Sequence, residues 1–511
     1  MQAGGHRFDP DKLHQCKIQC PAGRFFLLLH VSGFFDTMQT NGGLVMSLRF
    51  ARFIGNKAFY KKVMVVAIPL MLQQLITSSV NLLDNLMVGQ LGDASLSGVA
   101  VTNRFFMVAI FGTFGVLGAA SIYIAQFYGA KDDDHMKQSF RYSILSAYLV
   151  MAPFVVLGLL FPKAILGFFT QTTSILDEGV IYMRIAALTF IPMAMSMAVG
   201  GAMRSIGQTK IPLYAGVASV LTNAVFNYML IFGKFGFPAL GVAGAAWATL
   251  IARLLEMVIL LVVMNYKHFP FSTKVVDLFK VQKYLVKTIT IKALPLTTNE
   301  IFWSSGMATL FKFYSTRGDA VLVGFQIAGS TADLFFVLFG GMAAATTVMI
   351  SQPLGANELD EARSNGYKML GFSVVLAMFF AVLMFASSFF VPYLYRVSEE
   401  SRWIASTQLR IMSVMFWIYM GTAECYFILR AGGDTKSTLF MDSVFMWTVN
   451  IPVVAAATYL TKWPVFAVYI AGQSTDFLKL TLAYTLIRKE KWVKNLTMER
   501  PDILEIHEEI S

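Results

Sequence analysis

Charge is scarce in this chain. Only 14% of its 511 residues are charged and 56% are hydrophobic, whereas a soluble globular protein carries about 25% charged residues. That shortage excludes a water-soluble fold of this length. Cysteine is almost missing. Cys16 and Cys20 lie near the N-terminus and Cys425 in an apolar stretch, so no disulfide framework is available, and the C-x3-C pair has neither zinc spacing nor a partner pair. The six histidines, at positions 6, 14, 30, 135, 268 and 507, all fall outside the apolar stretches. A membrane-embedded enzyme would need a His/Asp or Ser/His cluster inside them, so the chain reads as a non-enzyme. No run of short alternating segments suggests a β-barrel. An ATP site is missing too: Gly432-Gly433-Asp434-Thr435-Lys436-Ser437 lacks the glycine directly before lysine, and no strand precedes it.

What is present is hydrocarbon-length apolar sequence. Twelve stretches of about twenty residues or more are each long enough to cross a core of about 30 Å. They cover roughly residues 63–89, 97–128, 139–162, 178–204, 211–233, 240–266, 289–315, 320–351, 366–395, 405–430, 437–460 and 464–487. The net charge of +11 would otherwise raise the question of nucleic acid, but its location answers it. Loops after even-numbered spans hold most of the basic residues, including Lys131, Lys137, Lys210, Lys267, Lys274, Lys280, Lys283, Lys287 and Lys436. By the positive-inside rule, both termini are expected in the cytoplasm of a cell-membrane protein. Residues 1–45 read as a disordered tail or a mis-assigned start; Phe25 to Val31 is too short to span and has no basic leader or cleavage site. The expected organisation is then an N-terminal six-helix lobe at 46–266, an amphipathic cytoplasmic linker at 267–288, a C-terminal six-helix lobe at 289–488, and a cytoplasmic tail at 489–511.

The sequence repeats itself. Shifted by 226 residues, segment 67–210 aligns with 293–436 without a gap. Pro69 matches Pro295, Gly92-Asp93-Ala94 matches Gly318-Asp319-Ala320, and Gln126, Gly129 and Ala130 match Gln352, Gly355 and Ala356. Arg204, Gly207, Thr209 and Lys210 match Arg430, Gly433, Thr435 and Lys436. Six spans separate equivalent points, so the two halves face the same way. The fold class expected is an all-α polytopic membrane protein of about twelve transmembrane helices, its two lobes related by a pseudo-two-fold axis along the membrane normal.

An ionisable group inside a bilayer costs roughly 2.5–3.5 kcal/mol or more, so each one is a candidate for function. Asp84 stands deep in span 1, and its repeat equivalent is Leu310. Burial would let it exchange a proton or neutralise a bound cation. Glu300 in span 7 has Gln74 as its twin, a site polar in both halves but charged in one. Asn223 and Asn227, one turn apart on span 5, either complete an oxygen cage for Na⁺ or bond between helices. Asp442 and Asp476 are further candidates for the C-terminal cavity, either of which could instead pair with Lys479. Asp333, Lys312 and Glu424 are weaker ones. No cofactor and no metal site are expected beyond H⁺ or Na⁺ as coupling ion, with Na⁺ placed at Asp84.

These residues carry a resemblance. Pro69 through Gly89, with Asp84 five residues before Gly89, resembles the first helix of the multidrug and toxic compound extrusion (MATE) family. Val242 to Thr249 (VAGAAWAT) resembles its sixth helix, and Pro295 to Gly306, with Asn299-Glu300 and Trp303, is similar to span 7 of many bacterial members. The resemblance covers roughly residues 50–495. It implies a V-shaped pair of lobes that exports organic cations and drugs from the cytoplasm in exchange for H⁺ or Na⁺. It implies Asp84 as the coupling carboxylate, Asn223 as the family's span-5 Asn, Asn227 where an Asp is common, Thr249 as the span-6 Thr, and Glu300 as the span-7 Glu. Partners would be a small organic cation or amphiphile and membrane lipid, with the chain a monomer. A flippase for lipid-linked precursors, from the same superfamily, is the alternative.

Overall fold

Hydrocarbon offers backbone N–H and C=O groups no partner, so each apolar stretch must satisfy them within its own helix. The computed structural model describes residues 52–498 apart from 171 and 396. The tail at 1–45 with Cys16 and Cys20, Arg396, and residues 499–511 lie outside the described residues. Among the described residues twelve long helical rods follow one another, with a short helix Pro162–Phe169 between the third and fourth: α1 (Lys57–Gly89), α2 (Asp93–Gly129), α3 (Asp133–Leu160), α4 (Thr173–Leu188 and Phe190–Ser205), α5 (Lys210–Phe232) and α6 (Val242–Tyr266). Then come α7 (Lys283–Ser315), α8 (Asp319–Thr346, a π turn Thr347–Ser351 and Gln352–Gly355), α9 (Leu359–Ser387), α10 (Glu399–Ala431), α11 (Thr435–Tyr459) and α12 (Val465–Arg488).

Nine of these are long and apolar enough to cross a membrane, ten when the bent α4 is counted as one span. The other two, α7 and α12, are the ones that carry Glu300, Lys312, Asp476 and Lys479. Large apolar side chains such as Leu149, Leu221 and Val382 stand outward and exposed, while Thr113, Gln126, Asn223 and Asn299 are buried. That is the arrangement of a protein with lipid as its solvent.

The 226-residue repeat governs the helix bounds. α1 and α2 recur at that offset as α7 and α8, and α3, α4 and α5 recur as α9, α10 and α11 to within a residue; α6 and α12 depart from it by a few residues. The turns repeat too, since Gly207 and its twin Gly433 hold φ of 83° and 80°, a backbone region open to glycine at little cost. One difference has a local cause. α4 bends by 43° near Thr189, where Pro192 removes a backbone donor. Its twin α10 runs on unbroken with Ile418 in that place.

The two lobes meet reciprocally, α2 packing along α7 and α8 along α1. At the even-loop end the approach is backbone to backbone. A Cβ placed on Gly129 would lie 1.9 Å from the Gln352 carbonyl oxygen, and one on Gly355 would lie 1.8 Å from the Gln126 carbonyl oxygen. The pseudo-two-fold axis passes between these pairs. Gln352 Nε2 donates across to the Ser205 carbonyl at 2.9 Å. Its twin Gln126 instead accepts at 2.7 Å from the backbone N–H of Leu496, in the segment after α12. That segment joins both lobes: Trp492 is fully buried against Gly366 and Gly432 of the C-terminal lobe, while Leu496 belongs to the N-terminal core.

The chain between α6 and α7 is tied to α3. Phe271 is fully buried and stacks edge-on to Phe140 at 4.9 Å, and Arg141 donates to Thr273 Oγ1 at 2.7 Å. Val275, Val276 and Phe279 on its far side are exposed. Lys280, 2.7 Å from Asp277, holds that carboxyl below its usual range.

Because nothing can move aside at a backbone contact, Gly129→Ala should destabilise the protein by about 1–3 kcal/mol, read as a lowered thermal midpoint in detergent. Gly340→Ala, where an added Cβ meets no atom within 4 Å, should leave the midpoint unchanged. Equal midpoints for the two variants would contradict the contact.

Candidate functional site

Three helices of the N-terminal lobe bring Asp84, Asn223, Asn227 and Thr249 together. Asp84 comes from α1, five residues before its end. Asn223 and Asn227 come from one face of α5, both buried, and Thr249 from the second turn of α6. Asn227 Nδ2 donates to Asp84 Oδ1 at 2.6 Å. With its amide nitrogen toward the carboxylate, Asn223 donates to both Asp84 oxygens at 2.8 Å and its oxygen faces Thr249 Oγ1 at 3.3 Å. With the amide turned the other way, its oxygen faces the carboxyl and its nitrogen donates to Thr249 Oγ1 at 3.3 Å. The first arrangement suits an ionised Asp84, and the second suits a protonated one that donates. Asn227 Oδ1 is buried and has no hydrogen-bond partner among the described residues. Arg253 of α6 and Tyr182 of α4 are the charged and titratable neighbours that act on Asp84, and Arg253 is itself paired with Glu256 at 2.8 Å.

The C-terminal lobe is built differently. A cavity of about 660 Å³ lies within it, walled by aromatic residues such as Tyr314, Phe336, Phe339, Tyr419 and Tyr469, together with Asp333, Asp442, Asp476 and Lys479. Lys479 Nζ lies 2.6 Å from Asp442 Oδ1, and Asn299 Nδ2 donates to Asp442 Oδ2 at 3.0 Å. Ser443 Oγ donates to Asn299 Oδ1 at 2.7 Å and holds that amide in place. Two consecutive π turns, Phe440–Val444 and Met446–Asn450, carry Asp442 and Asn450 on α11. Such wide turns are common at functional positions. Asn450 in turn donates to Thr475 Oγ1 at 2.7 Å.

The structure thus brings Asp442 and Asp476 into one cavity, while Glu300 stands outside its lining yet near enough for its charge to act on Asp442. Glu300 faces Arg430 at 3.8 Å, and Arg430 Nη2 reaches the Phe114 carbonyl of α2 at 3.4 Å, at the contact between lobes. Glu424 is fully buried; its Oε1 accepts from Thr346 Oγ1 at 2.5 Å and its Oε2 has no partner among the described residues. Lys312 stands exposed. Sequence reasoning missed the Arg253–Glu256 pair. Opposite charges three residues apart in an apolar stretch were the available signal. Among the described residues, no group of three or more His, Cys, Asp or Glu could hold a metal ion.

Two lobes of helices with apolar outer surfaces, enclosing buried carboxylates and an aromatic cavity, define a polytopic membrane transporter. The MatE family model matches residues 69–229 and again 295–455, two matches separated by the same 226 residues as the repeat. The chain belongs to the MatE family, whose members are transporters and not enzymes. It is 24% identical over 423 residues to the probable multidrug resistance protein YoeA of Bacillus subtilis, covering 82% of this chain and 91% of that one. It is 25% identical over 394 residues to the probable multidrug resistance protein NorM of Halalkalibacterium halodurans, covering 77% and 86%. Its fold matches that of a MATE multidrug resistance transporter in an outward-facing conformation with TM-score 0.78 at 18% identity, covering 86% of this chain and 97% of the other. A transporter of the MOP superfamily from Pyrococcus furiosus matches with TM-score 0.74 at 19% identity over the same shares.

Asn299 anchors Asp442 through a hydrogen bond to a charged group, worth about 1.5–3 kcal/mol. Asn299→Leu should therefore lower the thermal midpoint in detergent, and Ser443→Ala, which loosens Asn299 alone, should lower it by less. A midpoint unmoved by Asn299→Leu would contradict the network.

Proposed function

We propose that this chain is a secondary active antiporter of the cell membrane, exporting drugs or organic cations from the cytoplasm in exchange for H⁺ or Na⁺. It works as a monomer with both termini cytoplasmic. Its lobes, 46–266 and 289–488, rock about their contact, with 267–288 as the cytoplasmic linker between them. The observation that carries the reading is the Asp84 carboxylate gripped by two amides of α5. The multidrug resistance names of the relatives support the substrate class.

Asp84 couples the ion to the conformation through the groups around it. Ionised, it accepts from Asn223 and Asn227. Protonated, it donates to the turned Asn223 amide and gives up one of those bonds. Na⁺ would meet the carboxylate, the spare Asn227 oxygen and the Thr249 hydroxyl, all oxygen ligands. Either ion changes what binds α5 to α1, and an ion shifts a conformational equilibrium only through such a difference in affinity between states. Opening at the even-loop end must also part Gly129 from Gln352 and Gly355 from Gln126.

In proteoliposomes with ΔpH and ΔNa⁺ imposed separately, the wild type should move an organic cation against its gradient under one of them. Asp84→Asn should insert and purify normally, yet lose that uphill transport by roughly tenfold or more, the size of a coupling of about 1.4 kcal/mol or above. Undiminished uphill transport by Asp84→Asn would sink the proposal.

A further inference from the structure

Two carboxylates line the cavity of the C-terminal lobe within reach of one ammonium. Asp442 is already satisfied at both oxygens, by Lys479 at 2.6 Å and by Asn299 at 3.0 Å. Asp476 lies on α12 one turn before Lys479, lines the same cavity, and makes no hydrogen bond to any described residue. Asp333 also lines it, from α8, but stands exposed and electrostatically apart from these three. Glu300 also acts on Asp442, but it faces Arg430 at 3.8 Å, so that pair adds no net charge. The Lys479 cluster therefore holds two negative charges and one positive, and Asp476 is its open carboxylate.

We propose that Lys479 is a specificity-determining residue: its tethered ammonium fills one of two cation seats, so that the cavity accepts an aromatic organic cation carrying one positive charge. A monocation meets Asp476 and the ring faces of Tyr314, Tyr419 and Tyr469, which attract cations through their quadrupoles. A dication that seats both its charges in this cluster must also take Asp442, and to do so it must leave a buried ammonium without its partner. Breaking a buried pair by removing one side is strongly unfavourable. Specificity thus arises from a competitor built into the site.

The neighbourhood supports this role. In the N-terminal lobe the repeat equivalents of Asn299 and Asp442 are Gln73 and Gly216, which also touch, the Gln73 amide lying 2.9 Å from where a Gly216 Cβ would sit. The same contact between helices therefore exists in both halves; the repeat equivalent of Lys479 is Arg253, which pairs with Glu256 of its own helix, whereas in the C-terminal half the cation is set against Asp442 at this contact. The ion pair is an addition to the frame and not a requirement of it.

The inference rests on the cavity receiving the transported cation, and binding tests it separately from transport. The probes are ethidium and propidium, which share a ring system and differ by one charge, measured by equilibrium binding to purified protein in detergent. Wild type and Lys479→Arg should bind ethidium better than propidium. Lys479→Met frees Asp442 and should shift the ratio toward propidium by roughly tenfold. Asp476→Asn should weaken ethidium binding by a similar factor, and the double variant Asp476→Asn with Lys479→Met should recover it on the freed Asp442. If Lys479→Met cannot be purified, the Asp476→Asn loss and its recovery in the double variant decide the question. An unchanged ratio in Lys479→Met, a double variant weaker than either single one, or a wild type that binds neither dye would overturn the proposal. A wild type that binds ethidium but never moves it would instead overturn the antiporter reading and leave the charge count standing.

Discussion

A charge inside an apolar bundle must find a partner or a proton, and this constraint organises the molecule. In water each carboxylate would be cheap. Among these helices four have a specific arrangement: Asp84 with two amides, Asp442 with an ammonium and an amide, Glu300 beside Arg430, Glu424 with one hydroxyl. At Asp84 the neighbouring Asn227 Oδ1 has no partner among the described residues, which is what the proposed ion site would use. Buried charge is poor evidence for stability, because desolvation offsets much of the attraction.

Duplication supplies the frame on which these charges were placed. Helix bounds, turns and the Gly129 and Gly355 contacts obey the 226-residue offset closely. The chemistry does not. Asp84 corresponds to Leu310, Glu300 to Gln74, and Asp442 to Gly216. One lobe holds a small polar site near the end of α1, and the other holds an aromatic cavity with a compensated ion pair. A two-fold frame with unlike contents is what the proposed rocking of two similar bodies with separate duties requires.

Much of this was legible in the residues. Apolar length defined the helices, and an unbroken alignment defined the halves. An acid in span 1 with two asparagines at a helical-turn spacing located the N-terminal site, although the place of Thr249 rested on resemblance to a family and not on periodicity. Other features depend on tertiary choices. Asn299 and Glu300 are neighbours in sequence, but successive helical positions point about 100° apart, so one meets Asp442 and the other Arg430. Lys479 could have paired along its own helix with Asp476, and it pairs instead with Asp442 of α11. The π turns of α11 and the binding of Gln126 by the segment after α12 leave no pattern in a single sequence. The bend in α4 was foreshadowed by Pro192, which its twin lacks.

The proposal that Asp84 couples an ion to export implies that the substrate and the ion are linked, so that binding of one releases the other. The direct measurement is ion release from purified wild type in weakly buffered detergent solution on addition of an organic cation, followed with a pH indicator and a Na⁺-selective electrode. The account predicts release of H⁺ or Na⁺ by the wild type and none by Asp84→Asn. Equal release from both proteins would contradict it.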